Sequence, residues 1–462
     1  MKTPAIKNVY FLGIGGIGMS ALARYFHSQG IFVSGYDKTP TSLTSELIAE
    51  GIDVHFKDNP ELIPASILAD KKGEQSLIIY TPAIPAEQTE FRFLKEGGYA
   101  LKKRSEVLGL LTNNSFSIAV AGTHGKTTTS SILAHILTAC GLNCTAFLGG
   151  ISKNYQTNFL IGDPKKGKEY IVVEADEYDR SFLALTPDVT IITSMDADHL
   201  DIYGDAEYMR ESYRLFASQL KSGGKLFYRH GLPLQDIHVT KSDYSVSENG
   251  EYCGEKIEIK AHQYHFSWRG PNEVIHDVTM QMPGIHNVEN AVAAICVAKY
   301  LNLSNEAIVN ALKSYSGVKR RFDYLWTGNR VYIDDYAHHP EELRACISSV
   351  RELYPGRKIT GIFQPHLYSR TRDFSAGFAS VLSMLDHLIL LDIYPARELP
   401  IPGITSAIIF DEVTIADKVL CTKDQALEEL KKGDHDIVLT VGAGDIDQLV
   451  QPIREYLKAL EQ

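Results

Sequence analysis

The clearest chemical signal in this chain is the segment 122–127, which reads Gly-Thr-His-Gly-Lys-Thr. A loop that binds nucleotide phosphates needs glycines, so that backbone N–H groups can face the anionic oxygens, a lysine for the terminal phosphates and a hydroxyl for Mg²⁺. Gly122, Gly125, Lys126 and Thr127 supply these parts. An apolar strand pattern precedes the segment and a helical pattern follows it. The sequence therefore predicts a site for MgATP at the N-terminus of a helix.

The general phosphate-loop pattern has a glycine where this chain has Val120, so the loop is a shortened variant. Magnesium is a hard cation that prefers oxygen ligands, often one or two carboxylates together with substrate phosphates. Two later runs of strand length, 170–173 and 189–192, each end in groups that could ligate it. These groups are Glu174, Asp176 and Glu177 after the first run, and Asp196, Asp198 and His199 after the second. Capping of helices is the alternative role for any one of them.

A second glycine-rich turn lies near the start of the chain. Residues 13–18 fit the pattern G-x-G-x-x-G directly after the predicted strand 8–12, and Asp37 ends the next strand, where a ribose-binding acid belongs. Alone, this turn would indicate NAD, but the same turn can serve any nucleotide diphosphate. A chain with both glycine loops is better interpreted as binding two different nucleotides.

The elements around these motifs indicate an α/β fold. Strand and helix patterns alternate from residue 8 to the polar break at 112–115, again from 117 onwards, and a third time after the basic cluster 319–321. Apolar strands that end in polar motifs are typical of doubly wound sheets, whose ligands bind at the carboxyl ends of the strands. We predict three domains, 1–112, 113–318 and 319–462. The alternating segment 228–282 predicts an antiparallel excursion.

Composition excludes several classes of protein. With 44% hydrophobic and 22% charged residues, the chain of 462 residues is ordinary for a globular protein of more than one domain. A net charge of −11 disfavours a nucleic-acid partner. No signal-peptide core or membrane-length apolar run is present, and the six cysteines form no C-x-x-C pair. We expect a cytoplasmic protein with reduced thiols and no membrane partner. The oligomeric state is not indicated.

Taken together, the motifs resemble those of the Mur ligases over nearly the whole chain. They occupy the segments 13–19, 121–129, 174–177, 198–205, 286–290, 317–322, 334–340, 364–366, 368–373 and 401–403. The resemblance implies a Rossmann-like N-terminal domain that binds a UDP-sugar, a central ATPase domain with a P-loop, and a Rossmann-like C-terminal domain. It also implies an ATP-dependent ligase that activates the carboxylate of UDP-N-acetylmuramate as an acyl phosphate and transfers it to the amine of L-alanine, with Mg²⁺, or Mn²⁺ in its place, as the metal.

The resemblance assigns each predicted site residue a role. ATP would be bound by Gly122, Thr123, His124, Gly125, Lys126, Thr127, Thr128, Asn290, Arg321 and Asp335. The UDP-sugar would be bound by Gly13, Gly15, Gly16, Ile17, Gly18, Met19, Asp37, Thr81 and Ala83. The amino acid would contact Tyr336, His338, His366 and Arg370. Thr127, Glu174 and His199 would hold the metal, and Lys126, His124, His199 and Glu174 would act in catalysis.

Two positions qualify the choice of amine. Ligases that add alanine usually have arginine where this chain has Leu367, so the preference among alanine, serine and glycine stays open. Relatives that add later residues carry a modified lysine after the metal histidine, and no lysine lies between His199 and Lys221. A recycling ligase that attaches a tripeptide to the same UDP-sugar is the nearest alternative. An NAD dehydrogenase or a P-loop switch would each leave one of the two loops unused.

Overall fold

The protein is described by a computed structural model over residues 6–113, 115–196, 203–247, 249–396 and 398–461. Its strands are β1 (Asn8–Leu12), β2 (Phe32–Tyr36), β3 (Asp53–His55), β4 (Ser76–Tyr80), β5 (Leu101–Lys103), β6 (Phe116–Ala121), β7 (Asn143–Ser152), β8 (Thr157–Leu160), β9 (Glu169–Glu174), β10 (Val189–Ile192), β11 (Lys225–Arg229), β12 (Thr240–Ser245), β13 (Tyr252–Lys260), β14 (Gln263–Arg269), β15 (Val274–Met280), β16 (Asp323–Thr327), β17 (Val331–Asp335), β18 (Ile359–Phe363), β19 (His387–Leu391), β20 (Lys418–Cys421) and β21 (Ile437–Val441). Its α-helices are α1 (Ile17–Ser28), α2 (Ser42–Ala49), α3 (Ala65–Leu68), α4 (Thr89–Glu96), α5 (Arg104–Asn113), α6 (Lys126–Ala139), α7 (Ala206–Ser218), α8 (Ile285–Tyr300), α9 (Asn305–Ser314), α10 (Pro340–Leu353), α11 (Tyr368–Leu382), α12 (Ala407–Phe410), α13 (Ala426–Leu430) and α14 (Val450–Ala459). Within the described ranges, no helix has both the length and the apolar character needed to cross a membrane.

The first sheet has five parallel strands in the order β3-β2-β1-β4-β5. Its central strand β1 is buried from Val9 to Leu12 because both of its faces are covered. Val9 and Phe11 belong to one core cluster, whereas Tyr10 and Leu12 belong to another on the opposite face. The turn that follows β1 therefore lies at the carboxyl edge of a doubly covered sheet, where ligands of such folds bind.

The second sheet has ten strands in the order β15-β14-β13-β12-β11-β10-β6-β9-β7-β8. Strand β6 lies between β10 and β9 and is parallel to both. The carboxyl ends of these three strands consequently meet at one edge. The loop after β6 is flanked by the residues after β9 on one side and by those after β10 on the other, as the sequence predicted for the phosphate loop and the two acidic strand ends.

The predicted antiparallel excursion at 228–282 is wrong in its first half. Strand β12 pairs parallel with β11, and β13 pairs parallel with β12 through Tyr244 and Ser245. Alternation of polar and apolar residues reports that one face of a strand is covered and the other is not. The alternation carries no information about the direction of the neighbouring strand. The strands themselves are therefore present, and only the direction of their pairing was predicted wrongly.

The third sheet has six strands in the order β16-β17-β21-β18-β19-β20. All of its pairs are parallel except β16 with β17, so the sheet is doubly wound with one antiparallel edge. The α/β fold with Rossmann-like parallel sheets is thus confirmed. By compactness the chain divides into two units, the first formed by 1–255, 268–276 and 290–315, and the second by 256–267, 277–289 and 316–462. The three domain limits given above stay a prediction.

Candidate active site

The phosphate loop connects β6 to α6 in the first unit. Gly122 has φ +139°, and a Cβ there would lie 2.0 Å from Oγ1 of Thr193. Gly125, the residue before α6, has φ +84°, and its Cβ would lie 2.7 Å from Oδ1 of Asn290. L-residues with side chains rarely adopt such backbone angles. Both glycines are therefore required by shape, and the contact brings Asn290, a predicted ATP residue, to the loop.

The segment after β10 holds the phosphate loop by hydrogen bonds. Oγ1 of Thr193 donates to the carbonyl of His124 at 2.5 Å, and the His124 N–H donates to Oγ of Ser194 at 2.7 Å. Oγ1 of Thr123 donates to the carbonyl of Asp196 at 2.8 Å. Nε2 of His124 lies 3.8 Å from Oδ2 of Asp196. The loop is thus preformed, and His124 is both a loop-shaping residue and a neighbour of a carboxylate.

Lys126 begins α6 and is the fixed charge of the loop. Its Nζ donates to the carbonyl of Gly122 at 2.6 Å and to Oε1 of Glu177 at 2.8 Å. Burial lowers the pKa of Lys126, but the carboxylates of Glu177, Glu174 and Asp176 raise it by more, so the ammonium stays charged. An ammonium at a helix N-terminus adds to the positive end of the helix dipole. The loop therefore carries the charge that an anionic phosphate chain needs.

The residues predicted to hold a metal are partly visible. Glu174 ends β9, its Oε2 accepts the N–H of Gly149 at 3.1 Å, and a Cβ on Gly149 would lie 2.1 Å from that oxygen. Thr127 lies buried in the first turn of α6, followed by buried Thr128. His199 lies outside the described residues. The described part of the chain has no group of three metal-binding side chains, but Mg²⁺ at a nucleotide needs only one or two protein oxygens beside the phosphates, and Thr127 with Glu174 fits that requirement.

The N-terminal glycine turn is locked by the residues predicted to accompany it. The Gly15 N–H donates to Oδ2 of Asp37 at 2.7 Å. Gly13 has φ +86°, and a Cβ there would lie 2.8 Å from Cγ2 of Thr81, whose Oγ1 accepts the N–H of Ala83 at 3.4 Å. Asp37, Thr81 and Ala83 are therefore gathered around the turn.

Two predicted residues of this turn differ in environment. Met19 is 2% exposed and belongs to the core, so its side chain has a packing role. Ile17, at the start of α1, is 36% exposed. The helix α1 follows Gly16, which has no side chain, so the first backbone N–H groups of the helix lack a side-chain cap.

A single cavity of about 100 Å³ joins the glycine turn to the acidic end of β9. Ile17 and Gly18 line one side, and Glu174 and Asp176 line another. Arg104, at the start of α5, spans the cavity: its Nη2 lies 2.8 Å from Oδ2 of Asp176, and a Cβ on Gly18 would lie 2.0 Å from its Nη1. The sequence analysis missed Arg104, because a basic residue outside a motif carries no spacing signal.

In the second unit, the predicted amino-acid residues form a row of rings. The ring of Tyr336, after β17, lies 5.3 Å from that of His338, and the His338 ring lies 5.9 Å from that of His366, after β18. The row continues to Tyr394, whose ring stacks on His366 at 5.9 Å. Arg370 lies buried in the first turn of α11. Tyr394 was not predicted, because its isolated position after β19 carries no motif.

The predicted nucleotide residues of the second unit lie beside this row. The guanidinium of Arg321 sits 5.0 Å from the ring centre of Tyr336. Asp335 accepts the N–H groups of Phe322 at 2.6 Å and of Ala337 at 2.7 Å. Burial raises the pKa of Asp335 to about 6, although Arg321 opposes the shift. A carboxylate held by two backbone donors has a fixed position, as a residue that orients a ligand requires.

Leu367, the residue on which the choice among alanine, serine and glycine was left open, has φ +71° and is 6% exposed. Its N–H donates to the carbonyl of Tyr394 at 3.0 Å, and its carbonyl accepts the N–H of Thr371 at 3.1 Å. A non-glycine residue in this region is strained by about 1–3 kcal/mol and persists only where the surroundings fix it. The strain lies between His366 and Arg370, within the predicted amino-acid site.

Three family models match consecutive parts of the chain. They are described as the Mur ligase family catalytic domain (residues 8–116), the Mur ligase middle domain (120–298) and the Mur ligase glutamate ligase domain (320–444). The chain belongs to the Mur ligase family. The resemblance of the motifs is thereby confirmed.

Relatives within the Mur ligase family match over the full length. The chain is 50% identical to the UDP-N-acetylmuramate–L-alanine ligase of Flavobacterium johnsoniae, covering 99% of each chain, and 50% identical to that of Parabacteroides distasonis, covering 99% of this chain and 98% of the relative. The crystal structure of the UDP-N-acetylmuramate-alanine ligase of Thermotoga maritima matches with a TM-score of 0.81 and 26% identity, covering 98% of this chain and 99% of that one. The fold is shared with a murein peptide ligase of Psychrobacter arcticus, with a TM-score of 0.71, 20% identity and coverage of 97% and 98%.

Proposed function

We propose that this Mur ligase joins the carboxylate of UDP-N-acetylmuramate to the amino group of L-alanine in the cytoplasm, at the expense of ATP, which is cleaved to ADP and phosphate. The observation that carries the proposal is the cavity shared by the glycine turn and the acidic end of β9. It places a turn suited to one nucleotide next to the carboxylates beside the loop suited to another. The full-length similarity to ligases that use these substrates supports it.

In the first step the substrate carboxylate attacks the γ-phosphate of ATP and gives an acyl phosphate. Phosphoryl transfer needs mainly positioning and charge neutralisation. Lys126 supplies a positive charge at the N-terminus of α6. His124, whose N–H is held by Ser194, would orient the carboxylate. Thr127, Glu174 and His199 would hold Mg²⁺, which supplies further neutralisation of phosphate charge. Asn290, Arg321 and Asp335 would bind the rest of the nucleotide.

In the second step the amine attacks the acyl carbon, and a tetrahedral intermediate collapses with release of phosphate. The amino acid would be held by Tyr336, His338, His366 and Arg370. The aromatic row would enclose a small amino acid. Arg370, buried in the first turn of α11, would pair with its carboxylate. Exclusion of water from this site would protect the acyl phosphate from hydrolysis.

A recycling ligase that attaches a tripeptide to UDP-N-acetylmuramate is the alternative. The fold shared with a murein peptide ligase leaves room for it. The identity of 50% to ligases for L-alanine favours the single amino acid.

The test is phosphate release by the purified protein with MgATP and UDP-N-acetylmuramate, with L-alanine, glycine, L-serine or the tripeptide added in parallel. Release that needs both the UDP-sugar and L-alanine is expected. A requirement for the tripeptide would select the recycling reaction, and release that ignores the UDP-sugar would overturn the proposal.

A further inference from the structure

The second step of the proposed reaction has an unmet chemical need. At neutral pH an α-amino acid carries an ammonium group, which has no lone pair and cannot attack an acyl carbon. A base must remove a proton at the site before the C–N bond forms. The loop residues around Lys126 are donors and metal ligands, and the row of rings in the second unit is where the amine is proposed to bind.

His338 is oriented as such a base would be. Its Nδ1 lies 2.9 Å from the carbonyl oxygen of Tyr336, which can only accept a hydrogen bond. The proton of the neutral ring is therefore on Nδ1, and Nε2 is the basic nitrogen. The hydrogen bond of one ring nitrogen thus defines the chemistry of the other.

Glu342 supports this orientation from α10. Its Oε2 lies 3.2 Å from Nδ1 of His338 and also accepts the backbone N–H of His338 at 3.0 Å. The side chains are only 18% and 16% exposed, so the interaction is weakly screened by water. A carboxylate on the Nδ1 side stabilises the imidazolium that forms when Nε2 takes a proton, which makes His338 a stronger base.

Other titratable and charged groups face the pair from neighbouring elements. His286, at the start of α8, has its pKa lowered to about 4 by burial, with Glu342 opposing the shift, so it is neutral at pH 7. The remaining groups are Asp335 at the end of β17, Tyr336 directly after it, His366 after β18, Arg320 and Arg321 over the Tyr336 ring, and Cys346 on α10. Among these, Glu342 is the carboxylate in hydrogen-bonding range of the His338 ring.

We propose that Glu342 is a positioning residue that holds His338 as the general base for the incoming amino acid. This inference rests on the proposed function and adds a residue to it. Nε2 of His338 takes one proton from the α-ammonium, and the freed lone pair forms the C–N bond. The C–O bond to phosphate then breaks, and the second proton of the attacking nitrogen leaves with the phosphate as hydrogen phosphate. The proton on Nδ1 stays between the Tyr336 carbonyl and Glu342 throughout.

The test compares Glu342→Gln with Glu341→Gln, an exposed neighbour in the same first turn of α10. Both variants remove one negative charge from a helix N-terminus, so losses of helix stability are matched. With L-alanine at pH 7, Glu342→Gln should lower kcat by roughly 10–100-fold, as for residues that orient a catalytic histidine, and Glu341→Gln should stay within about twofold of wild type. Hydroxylamine, an amine that is unprotonated at neutral pH, should be used by Glu342→Gln at nearly the wild-type rate.

The pH profile gives a readout that a merely structural role would not move. Loss of the carboxylate makes the imidazolium less stable, so the acid limb of kcat for L-alanine should move to lower pH by about one unit. The role of Glu342 would be overturned if Glu342→Gln lost the same fraction of kcat with L-alanine and with hydroxylamine. It would also be overturned if the acid limb of the pH profile stayed where it is in wild type. ADP formation that depends on UDP-N-acetylmuramate but on no amine reports the first step separately. If ADP formation by the wild-type protein does not depend on UDP-N-acetylmuramate, the proposed function itself fails. If wild type and Glu342→Gln both show this dependence, any difference between them with L-alanine concerns the role of Glu342 alone.

Discussion

Two strand–turn–helix connections in the first unit, β1 to α1 and β6 to α6, share a backbone pattern but differ in the side chains around the turn. In each, a buried parallel strand ends in a glycine turn, and a glycine, Gly16 or Gly125, precedes the helix without a side-chain cap. The first helical residue is Ile17 in α1 and Lys126 in α6. One turn therefore begins its helix with an apolar side chain and the other with an ammonium.

The charged side chains that contact the two turns also differ. The first turn donates the Gly15 N–H to the Asp37 carboxylate, and its nearest cation, Arg104, comes from another helix. The second turn holds its own cation against Glu177. Under the proposed function, the first turn would recognise its ligand by backbone shape and by a charge from another helix, whereas the second turn would itself supply the charge for the reacting phosphate.

Removal of the charge from the second turn should have the largest effect. We expect Lys126→Ala to reduce phosphate release by about 100-fold or more, because the charge acts on the reacting phosphoryl group. Lys166→Ala, an exposed lysine, is the control and should be neutral. A Lys126→Ala protein with more than a few per cent of the wild-type rate would contradict the assigned difference between the turns.

Addition of a methyl group tests the role of shape in each turn. Gly122 has φ +139°, and an added Cβ would lie 2.8 Å from the backbone nitrogen of Ser194, so a methyl group does not fit there. Gly122→Ala should therefore lower the free energy of unfolding by roughly 2–4 kcal/mol. At Gly18 the obstacle is the mobile end of Arg104, so Gly18→Ala should unfold like wild type but raise KM for the UDP-sugar. Urea titrations and KM values check both; equal destabilisation would argue against the distinction.

Two buried carboxylates of the first unit, Glu177 and Glu90, differ in their partners and provide a test by pH. Glu177 faces an ammonium, whereas Glu90 is 0% exposed and accepts the Tyr10 hydroxyl at 2.5 Å and the Asn59 N–H at 3.0 Å. Burial raises the pKa of Glu90 from 4.5 to about 7. Because the folded-state pKa is raised, the associated stability is present below pH 4.5 and is lost as the pH rises through 7.

Glu90→Gln should therefore remove the loss of stability that accompanies ionisation of Glu90 as the pH rises. Relative to wild type, the variant should gain on the order of 1–3 kcal/mol in free energy of unfolding between pH 4 and pH 8, measured as the shift in urea midpoint of the first unit. Glu87→Gln, exposed and three residues away, should show no such gain. A pH dependence that is the same in all three proteins would mean that Glu90 does not carry it.

The smallest effect is expected at Asp37. Asparagine can still accept the Gly15 N–H, so Asp37→Asn should preserve the turn and change KM for the UDP-sugar only severalfold, with kcat unchanged. Steady-state kinetics with the UDP-sugar varied is the measurement. A collapse of kcat would place Asp37 in the chemistry and erase the contrast with Lys126.

Strand positions were predictable because their signals are local. The strands β1 and β10 have the predicted limits, because each is a mainly apolar run of the kind that a parallel sheet covered on both faces requires. The glycine turns were predictable because few other residues fit their backbone angles. The parallel pairing of β11 to β13 was not, because partner direction depends on segments distant in sequence.

Side chains that act through a fold were harder to find than side chains in motifs. Arg104 and Glu342 reach Asp176 and His338 only through packing of helices on sheets, and ordinary basic and acidic residues give no spacing signal. The ion pair of Lys126 with Glu177 was missed for the same reason. The motif residues were enough to predict the type of reaction, whereas the side chains that orient them were found only in the tertiary structure.

The central claim is that ATP activates the carboxylate of the UDP-sugar as an acyl phosphate. The most direct test uses UDP-N-acetylmuramate labelled with ¹⁸O in its carboxylate, together with MgATP and L-alanine. If the claim holds, one ¹⁸O atom from the substrate appears in each phosphate released, and the other remains in the amide carbonyl. Phosphate without ¹⁸O from the substrate would contradict the account, because the carboxylate would then not have been joined to that phosphorus.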